Sequence, residues 1–412
     1  LDGPAGMWCM QTGYGRREIA DAVSEQIMTL SYATSFTVIN NREVELAERI
    51  AAKTPGDLNR IYFTTGGSTA VDSALRLCQL ASNIKGQPHR KHILTREKAY
   101  HGSTYLSASI TGKERDKTAM DIMRDGVHFL SAPCYFYHPE FATEAEFCDF
   151  LVDELEQKIL ELGPENIMCF IAEPVMASGG VIVPPADYNY RCWQMVKKHE
   201  ITYIADEVVT AFGRLGYWFA SEKVFGIVPD IIIFAKGVTS GYIPMGGYAV
   251  SESFLDSFSG DNAEGCLYSN GYTWGGSPVA CAAALASWDI IEKEELLDRV
   301  LEIGPYFQQQ LQTLQDIPLV GNVRGEGLMA AVEMTIEGRN ELDLLEKDYA
   351  IGEMVDQHCQ KLGLLVRPFI NICIISPPLI INKEQVDELV SILRQGLELT
   401  LTDLRDQGVW VD

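Results

Sequence analysis

Two apolar strands that each end on an ionisable residue carry the first chemical suggestion in this chain. Lys236 closes the run Ile231-Ile-Ile-Phe-Ala235 and is followed by Gly237. Burial disfavours an ammonium ion, draws a lysine's pKa toward neutrality and frees its lone pair. A free amine condenses with an aldehyde, so such a lysine suits Schiff-base chemistry. A lysine that simply emerges into water is the competing reading, and the strand alone does not choose. Asp206 ends a second run, Tyr203-Ile-Ala205. In open α/β sheets ligands bind beyond the carboxyl ends of the strands, which would place lysine and carboxylate on one rim. Pyridoxal 5′-phosphate (PLP) needs both: an amine to hold its aldehyde, and a carboxylate to keep its pyridine nitrogen protonated so that the ring draws electrons. A capping aspartate, or an ion pair between the two residues, is the alternative.

A phosphate needs a cradle. Gly66, Gly67 and Ser68, in Thr64-Thr-Gly-Gly-Ser-Thr69, lie between a strand-like and a helix-like segment. Glycines let backbone approach an anion, and the first N–H groups of a helix point at it. Strand–Gly–Gly–helix turns are also common connections, so the motif is weak alone. Tyr100-His101-Gly102 follows another strand; its aromatic could stack on a flat cofactor or belong to the core.

The elements that must position these residues alternate. Ile61–Thr64, His92–Thr95, Ile167–Ala172, Ile201–Ala205 and Ile231–Ala235 read as short buried strands. Apolar residues at helical spacing over Ser68–Ala81 and Tyr188–His199 read as helices between them. The pattern predicts an α/β fold with a mostly parallel sheet covered by helices. Ser287–Gln315, Leu345–Lys361 and Glu384–Leu404 read as helices, with short strands within Leu319–Glu333 and Leu364–Ile375. The expected division is an N-terminal segment, 1–40, that joins the site and a small domain; a large cofactor-binding domain, 41–285; and a small α+β domain, 286–412.

Composition narrows the class. A net charge of −24 over 412 residues repels phosphate backbones, which argues against nucleic acid as a partner. The ten cysteines show no Cys-x-x-Cys pair and no zinc-ligand spacing with the seven histidines, so they read as reduced thiols and no metal is expected. No apolar run reaches the roughly 20 residues that span a bilayer, and no signal peptide is visible, so a cytoplasmic protein without a membrane partner is expected. The chain begins at Leu1 within a segment that already reads as ordered, which implies that a natural stretch precedes it.

Further motifs stand in order along the chain: Leu1-Asp-Gly3 and Trp8-Cys9, Gly13-Tyr-Gly15, Glu173-Pro174, Gly179-Gly-Val-Ile-Val-Pro-Pro185, Ala205-Asp-Glu-Val208, Phe212-Gly-Arg214, Ala235-Lys-Gly237, Gly241-Tyr242, Thr273-Trp-Gly-Gly-Ser-Pro-Val279, Val323-Arg-Gly325, and Arg367 before Ser376-Pro-Pro378. Together with the Gly66-Gly-Ser68 turn and Tyr100-His-Gly102 they resemble the class III aminotransferases of PLP fold type I, particularly the ω-amine:pyruvate branch. The resemblance covers essentially the whole chain. It implies a large domain with a mostly parallel sheet of the seven-stranded type, a smaller α+β domain, and PLP as cofactor. Lys236 resembles the Schiff-base lysine and proton shuttle, and Asp206 the partner of the pyridine nitrogen. Val208 and Tyr100 resemble the two faces of a ring clamp, with His101 in the same cofactor-binding stretch. Gly66, Gly67 and Ser68 resemble the phosphate cradle, completed by Thr273 from another subunit. Glu173 resembles the acid that orients this region, and Arg367 the arginine that receives an acceptor's carboxylate. Trp8 and Phe36 resemble pocket walls.

There are departures. The family turn Ser-Gly-Ser-Glu-Ala is here Gly66-Gly-Ser-Thr-Ala70, so one hydroxyl contact is absent and Thr69 replaces an acid. Glu97 stands where related enzymes carry an aromatic; at the entrance it would favour cationic amines such as diamines, and otherwise it is a surface carboxylate. The implied reaction is a ping-pong amino transfer from a primary amine, diamine or ω-amino acid to a keto acid, most simply pyruvate. A homodimer or a dimer of dimers is expected. The rival readings are a 4-aminobutyrate or ornithine type that uses 2-oxoglutarate, a mutase, a decarboxylase or racemase, and a PLP-binding protein without activity.

Overall fold

A computed structural model describes residues 1–258, 263–335 and 346–410. Its larger sheet has seven strands: β1 (Arg60–Thr64), β2 (His92–Arg96), β3 (Val127–Leu130), β4 (Ile167–Ala172), β5 (Thr202–Asp206), β6 (Ile231–Phe234) and β7 (Gly246–Val250), in the order β1-β7-β6-β5-β4-β2-β3. β7 pairs antiparallel with β1 and β6, and the other pairs are parallel. The α/β architecture is the expected one.

The central strands are buried end to end because both faces are covered. Successive side chains alternate. Ile171, Ile204, Ile231 and Ile233 pack with Val71, Ala74, Leu75 and Cys78 of the helix Gly67–Ile84. Phe170, Tyr203, Ile232 and Phe234 face the other way, toward Tyr188, Cys192 and Val196 of the helix Tyr188–Lys198. Each buried Val, Leu, Ile or Phe among them contributes about 1.5–3 kcal/mol. These strands had a clear signature. β7 did not: its Gly246-Gly247 carry no side chain, and a Cβ on Gly247 would strike the Phe234 ring.

A second sheet holds four antiparallel strands in the order β10-β11-β9-β8: β8 (Val320–Glu326), β9 (Met329–Met334), β10 (Arg367–Phe369) and β11 (Ile372–Ile375). Helices Glu346–Lys361 and Lys383–Asp406 pack together beside it. The N-terminal segment joins the two sheets. Gly3 N–H donates to Leu365 O at 3.0 Å, Ser376 N–H donates to Gly3 O at 2.7 Å, and Thr12 N–H donates to Ser240 Oγ at 2.8 Å.

One expected helix is two. Ser287–Gln315 is divided between Pro278–Lys293 and Leu296–Gln312, with Glu295 in the left-handed region at φ 51°. The amphipathic pattern continues across the break, but the partners change: the first helix packs on Arg17–Thr29 and Asn41–Ala51, the second on Lys383–Asp406. The first also runs through residues 285 and 286, where the sequence reading drew a boundary. Its Trp288 stacks on Trp218 with ring centroids 3.8 Å apart and is 3% exposed. Trp288→Ala should cost about 3–5 kcal/mol, because this contact leaves a cavity that rigid neighbours cannot fill. An unchanged denaturation midpoint would refute this account of the packing.

Candidate active site

The loops that leave β1, β2, β4, β5 and β6 emerge at one rim of the large sheet. Cross-strand register sets their levels. Ala172 pairs with Ala205, so Glu173 and Asp206 sit side by side just past it. Asp206 pairs with Ile233, and Lys236 follows three residues later. Around this rim lies a cavity of about 530 Å³, lined by Trp8, Gly67, Ser68, Tyr100, His101, Glu173, Asp206, Val208, Lys236 and Arg367. Ten of the residues singled out from sequence therefore meet in one place.

Lys236 enters at the start of a short 3₁₀ turn with φ 42°, a conformation that L-residues avoid. The next residue must be small, since a Cβ on Gly237 would overlap the Gln11 amide. Desolvation lowers the Lys236 pKa, while the charges of Asp206 and Glu173 pull it back up. The amine is thereby held closer to its neutral form than a surface lysine.

Asp206 is fixed by its neighbours. His101 Nδ1 lies 2.7 Å from Asp206 Oδ2, and Val208 N–H donates to Oδ1 at 3.2 Å. The other imidazole nitrogen is 3.2 Å from Thr95 Oγ1. With a carboxylate at Nδ1, that nitrogen carries a proton. Glu173 clamps two loops: Oε1 accepts Tyr100 N–H and Oε2 accepts Ala177 N–H, each at 3.0 Å. Burial raises its pKa.

The Gly-rich turn opens onto the same space. A Cβ on Gly67 would press on both Val208 methyls at 3.3 Å, and one on Gly102, at φ 137°, would come within 2.5 Å of Ser68 Oγ. Ser68 Oγ accepts Ser103 N–H at 3.1 Å, which ties the two turns together. Thr69 Oγ1 turns back to Gly66 O at 2.8 Å, so the substituted position serves its own turn. Gly66 lines an adjoining cavity of about 300 Å³ that shares Gly67, Val208 and Lys236 with the first.

Three expected residues stand elsewhere in the chain. Phe36 is 65% exposed and lies against Gly271, beside the exposed Thr273 and Trp274. Phe36 does not reach the cavity of its own chain, because sequence order says nothing about which surface a loop covers; Thr273 does not either, and the resemblance assigns it to the cavity of another subunit. Glu97 is exposed and belongs to a neighbouring cavity of about 510 Å³, which Lys98, Lys113, Arg115 and Lys117 also line. In return, the structure brings in Met7, Lys113, Arg115, Asp116, Ser178 and Phe369, which sequence reasoning missed. For Phe369 a signal existed: it lies two residues after Arg367 on one strand, and so on the same face.

Comparison with known proteins follows this geometry. The family model for class-III aminotransferases matches residues 1–397. A putrescine–pyruvate aminotransferase of Pseudomonas aeruginosa is 38% identical over 402 residues, 97% of this chain and 87% of that protein. A mitochondrial γ-aminobutyrate transaminase of Oryza sativa subsp. indica is 37% identical over 97% of this chain and 78% of its own length. A thermostable (S)-enantioselective ω-transaminase of Thermomicrobium roseum superposes with a TM-score of 0.91, at 36% identity, over 97% of this chain and 88% of that one.

The Glu173 clamp yields a prediction. In Glu173→Gln one carboxylate oxygen becomes an NH₂ that meets a backbone N–H, leaving a buried donor unpaired at a cost of about 1–3 kcal/mol. The thermal midpoint should fall, and fall further in Glu173→Ala, where both N–H groups lose their acceptor. A midpoint equal to wild type in the glutamine variant would show that the clamp contributes nothing.

Proposed function

This chain belongs to the class-III aminotransferases, and from that premise we propose that it moves an amino group from a primary amine or ω-amino acid to a keto acid, with pyruvate as acceptor, at the cavity around Lys236. The observation that carries the reading is the meeting of a desolvated lysine, a hydrogen-bonded aspartate and an arginine in one pocket.

The family depends on PLP, and the residues present suit that group. Gly66 faces open space, with no atom within 4 Å of where a Cβ would stand, and the Gly67–Ile84 helix begins beside it, so its first N–H groups are free to meet an anion. Asp206, locked by His101, is the carboxylate for a protonated ring nitrogen, with Val208 and Tyr100 as apolar and aromatic walls. When bound, PLP supplies an aldehyde for the donor's nitrogen and a ring that draws electrons from the adjacent carbon.

The chain's own residues do the rest. Lys236 Nζ, favoured in its neutral form by burial, takes the proton from the donor carbon that bears nitrogen, and gives one to the acceptor carbon in the second half-reaction. Arg367 receives the keto acid's carboxylate. Its guanidinium packs 5.1 Å from the Trp8 ring and touches Met7 Sδ, with no carboxylate partner among the described residues. Such a cation can engage an anion in one half-reaction and withdraw in the other. Trp8, Val208 and Phe369 keep water from the reacting atoms.

The exposed Phe36, Thr273 and Trp274, with Tyr32 edge-on to Trp274 at 5.2 Å, support a two-chain assembly in which this patch is covered by a second copy. The likeness to γ-aminobutyrate transaminases favours a second reading, in which 4-aminobutyrate is the donor; the acceptor is then either pyruvate or 2-oxoglutarate.

Two measurements test the proposal. Purified protein with PLP, a primary amine and pyruvate should form alanine, and Lys236→Ala should lower turnover by about 10³-fold or more. No alanine with any of a panel of amines would refute it, while glutamate formed from 2-oxoglutarate in preference to alanine from pyruvate would make 2-oxoglutarate the acceptor.

A further inference from the structure

Beyond the groups that serve the reaction, the cavity has an outer wall with its own chemistry. Lys113, Arg115, Asp116, Ser178, Pro368 and Phe369 form it. Lys113 is 8% exposed, yet among the described residues no carboxylate lies within ion-pair distance of its ammonium. Its Nζ donates to the neutral Ser178 Oγ at 2.5 Å and lies 3.9 Å from the Phe369 ring centroid and 5.4 Å from that of Tyr100. Arg115 covers the same Phe369 ring at 4.8 Å. Asp116, the acid of this wall, is engaged by Arg115 at 2.8 Å, and Arg115 Nη1 also donates to Tyr349 Oη at 3.3 Å.

A buried cation without a counter-ion is costly unless something supplies the missing charge. Here an ammonium with no ion-pair partner among the described residues lines the cavity, on the wall that also carries Arg367. The neighbouring cavity is lined by Lys113, Arg115 and Lys117 together with Glu97 and Glu114; Lys117 pairs with Glu114 at 3.3 Å and Arg115 with Asp116 at 2.8 Å, so Lys113 is again the cation without an ion pair among the described residues. A second ammonium would meet repulsion on this wall, so the expectation that Glu97 favours diamines runs against the local charge.

We infer that Lys113 is a specificity-determining residue, holding a carboxylate at the far end of the substrate and selecting such substrates over plain amines and diamines. The inference rests on the proposed reading of the cavity as the amino-transfer site. The carboxylate belongs either to an ω-amino acid donor or to the distal end of a dicarboxylic keto acid; the chemistry is the same. Phe369 and Tyr100 keep the ammonium partly dry, which strengthens its attraction for an anion. Desolvation, with Arg115 and Arg367 nearby and Asp116 and Glu173 opposing them, brings its pKa down to about 8. The attraction is therefore full at lower pH and fades as pH rises through about 8, because the ammonium loses its proton.

The test uses the PLP-loaded enzyme and Lys113→Met, with Lys113→Arg to restore the charge. In the donor arm, kcat/KM is compared for 4-aminobutyrate, butylamine and putrescine with pyruvate fixed; in the acceptor arm, for 2-oxoglutarate and pyruvate with butylamine fixed. The ratio of carboxylate-bearing to plain substrate should fall about tenfold in Lys113→Met in one arm, which identifies the source, and recover in part in Lys113→Arg. Raising the pH through 8 should lower that ratio in wild type but not in Lys113→Met. Calorimetric titration with glutarate, which has neither amino nor keto group, reads the site without turnover and should be about tenfold weaker in Lys113→Met. Unchanged ratios in both arms with unchanged glutarate binding would overturn the inference while leaving amino transfer intact. Glutarate binding that depends on Lys113 in a protein without transaminase activity would support the site and refute the proposed function.

Discussion

Keeping one lysine amine dry while leaving it reachable is the constraint on which the architecture turns. Water would hold Lys236 as an ammonium, and a sealed core would hide it. The parallel strands β4, β5 and β6 resolve this by ending at one rim, with apolar residues behind and a cavity in front. Lys236 takes a left-handed backbone to turn into that space, and the strain is held by the packed loops around it. The same register that sets Asp206 beside β6 sets Glu173 beside Asp206, so two carboxylates oppose the desolvation of the amine.

Support for this centre comes from far along the chain. Residues 1–12 run from the small sheet to the loop after Lys236, carrying Trp8 to the wall. β10 contributes Arg367 and Phe369 from one face of a short strand. The inner half of the cavity is thus made by the large sheet and its loops, and the outer half by segments that the large sheet does not contain. This division suits a family that keeps one chemistry and changes its substrates. Groups near the amine are locked by hydrogen bonds, whereas Lys113 and Arg367 are cations with no ion-pair partner among the described residues.

Sequence legibility followed burial on two faces. β4, β5 and β6 are continuous apolar runs and could be read directly, as could the helix Gly67–Ile84 from its spacing. β7, with two glycines, and the edge strand β3 left no such pattern, because their place is set by neighbours and not by their own side chains. The joined helix over Ser287–Gln315 failed for a related reason: periodicity persists through Glu295, but the two halves pack on different partners. Among the site candidates, the residues that end apolar strands or form Gly-rich turns converged as read. Phe36 and Glu97 did not enter this cavity, and Thr273, expected to act from another subunit, lies outside that of its own chain.

What the sequence determined by itself was the chemistry: a lysine and an aspartate at the ends of buried strands, a glycine turn before a helix, and an ordered series of motifs that matches one family. These are local facts, since strand ends, turns and motif order are written in consecutive residues. Tertiary structure alone decided which side chains share the space: that Glu97 shares a cavity with basic residues, that Phe36 lies outside, and that Lys113, with no ion-pair partner among the described residues, stands beside Phe369. Charge complementarity depends on distance through space, and residues 113, 178 and 369 are brought together only when both sheets and the segments between them are packed.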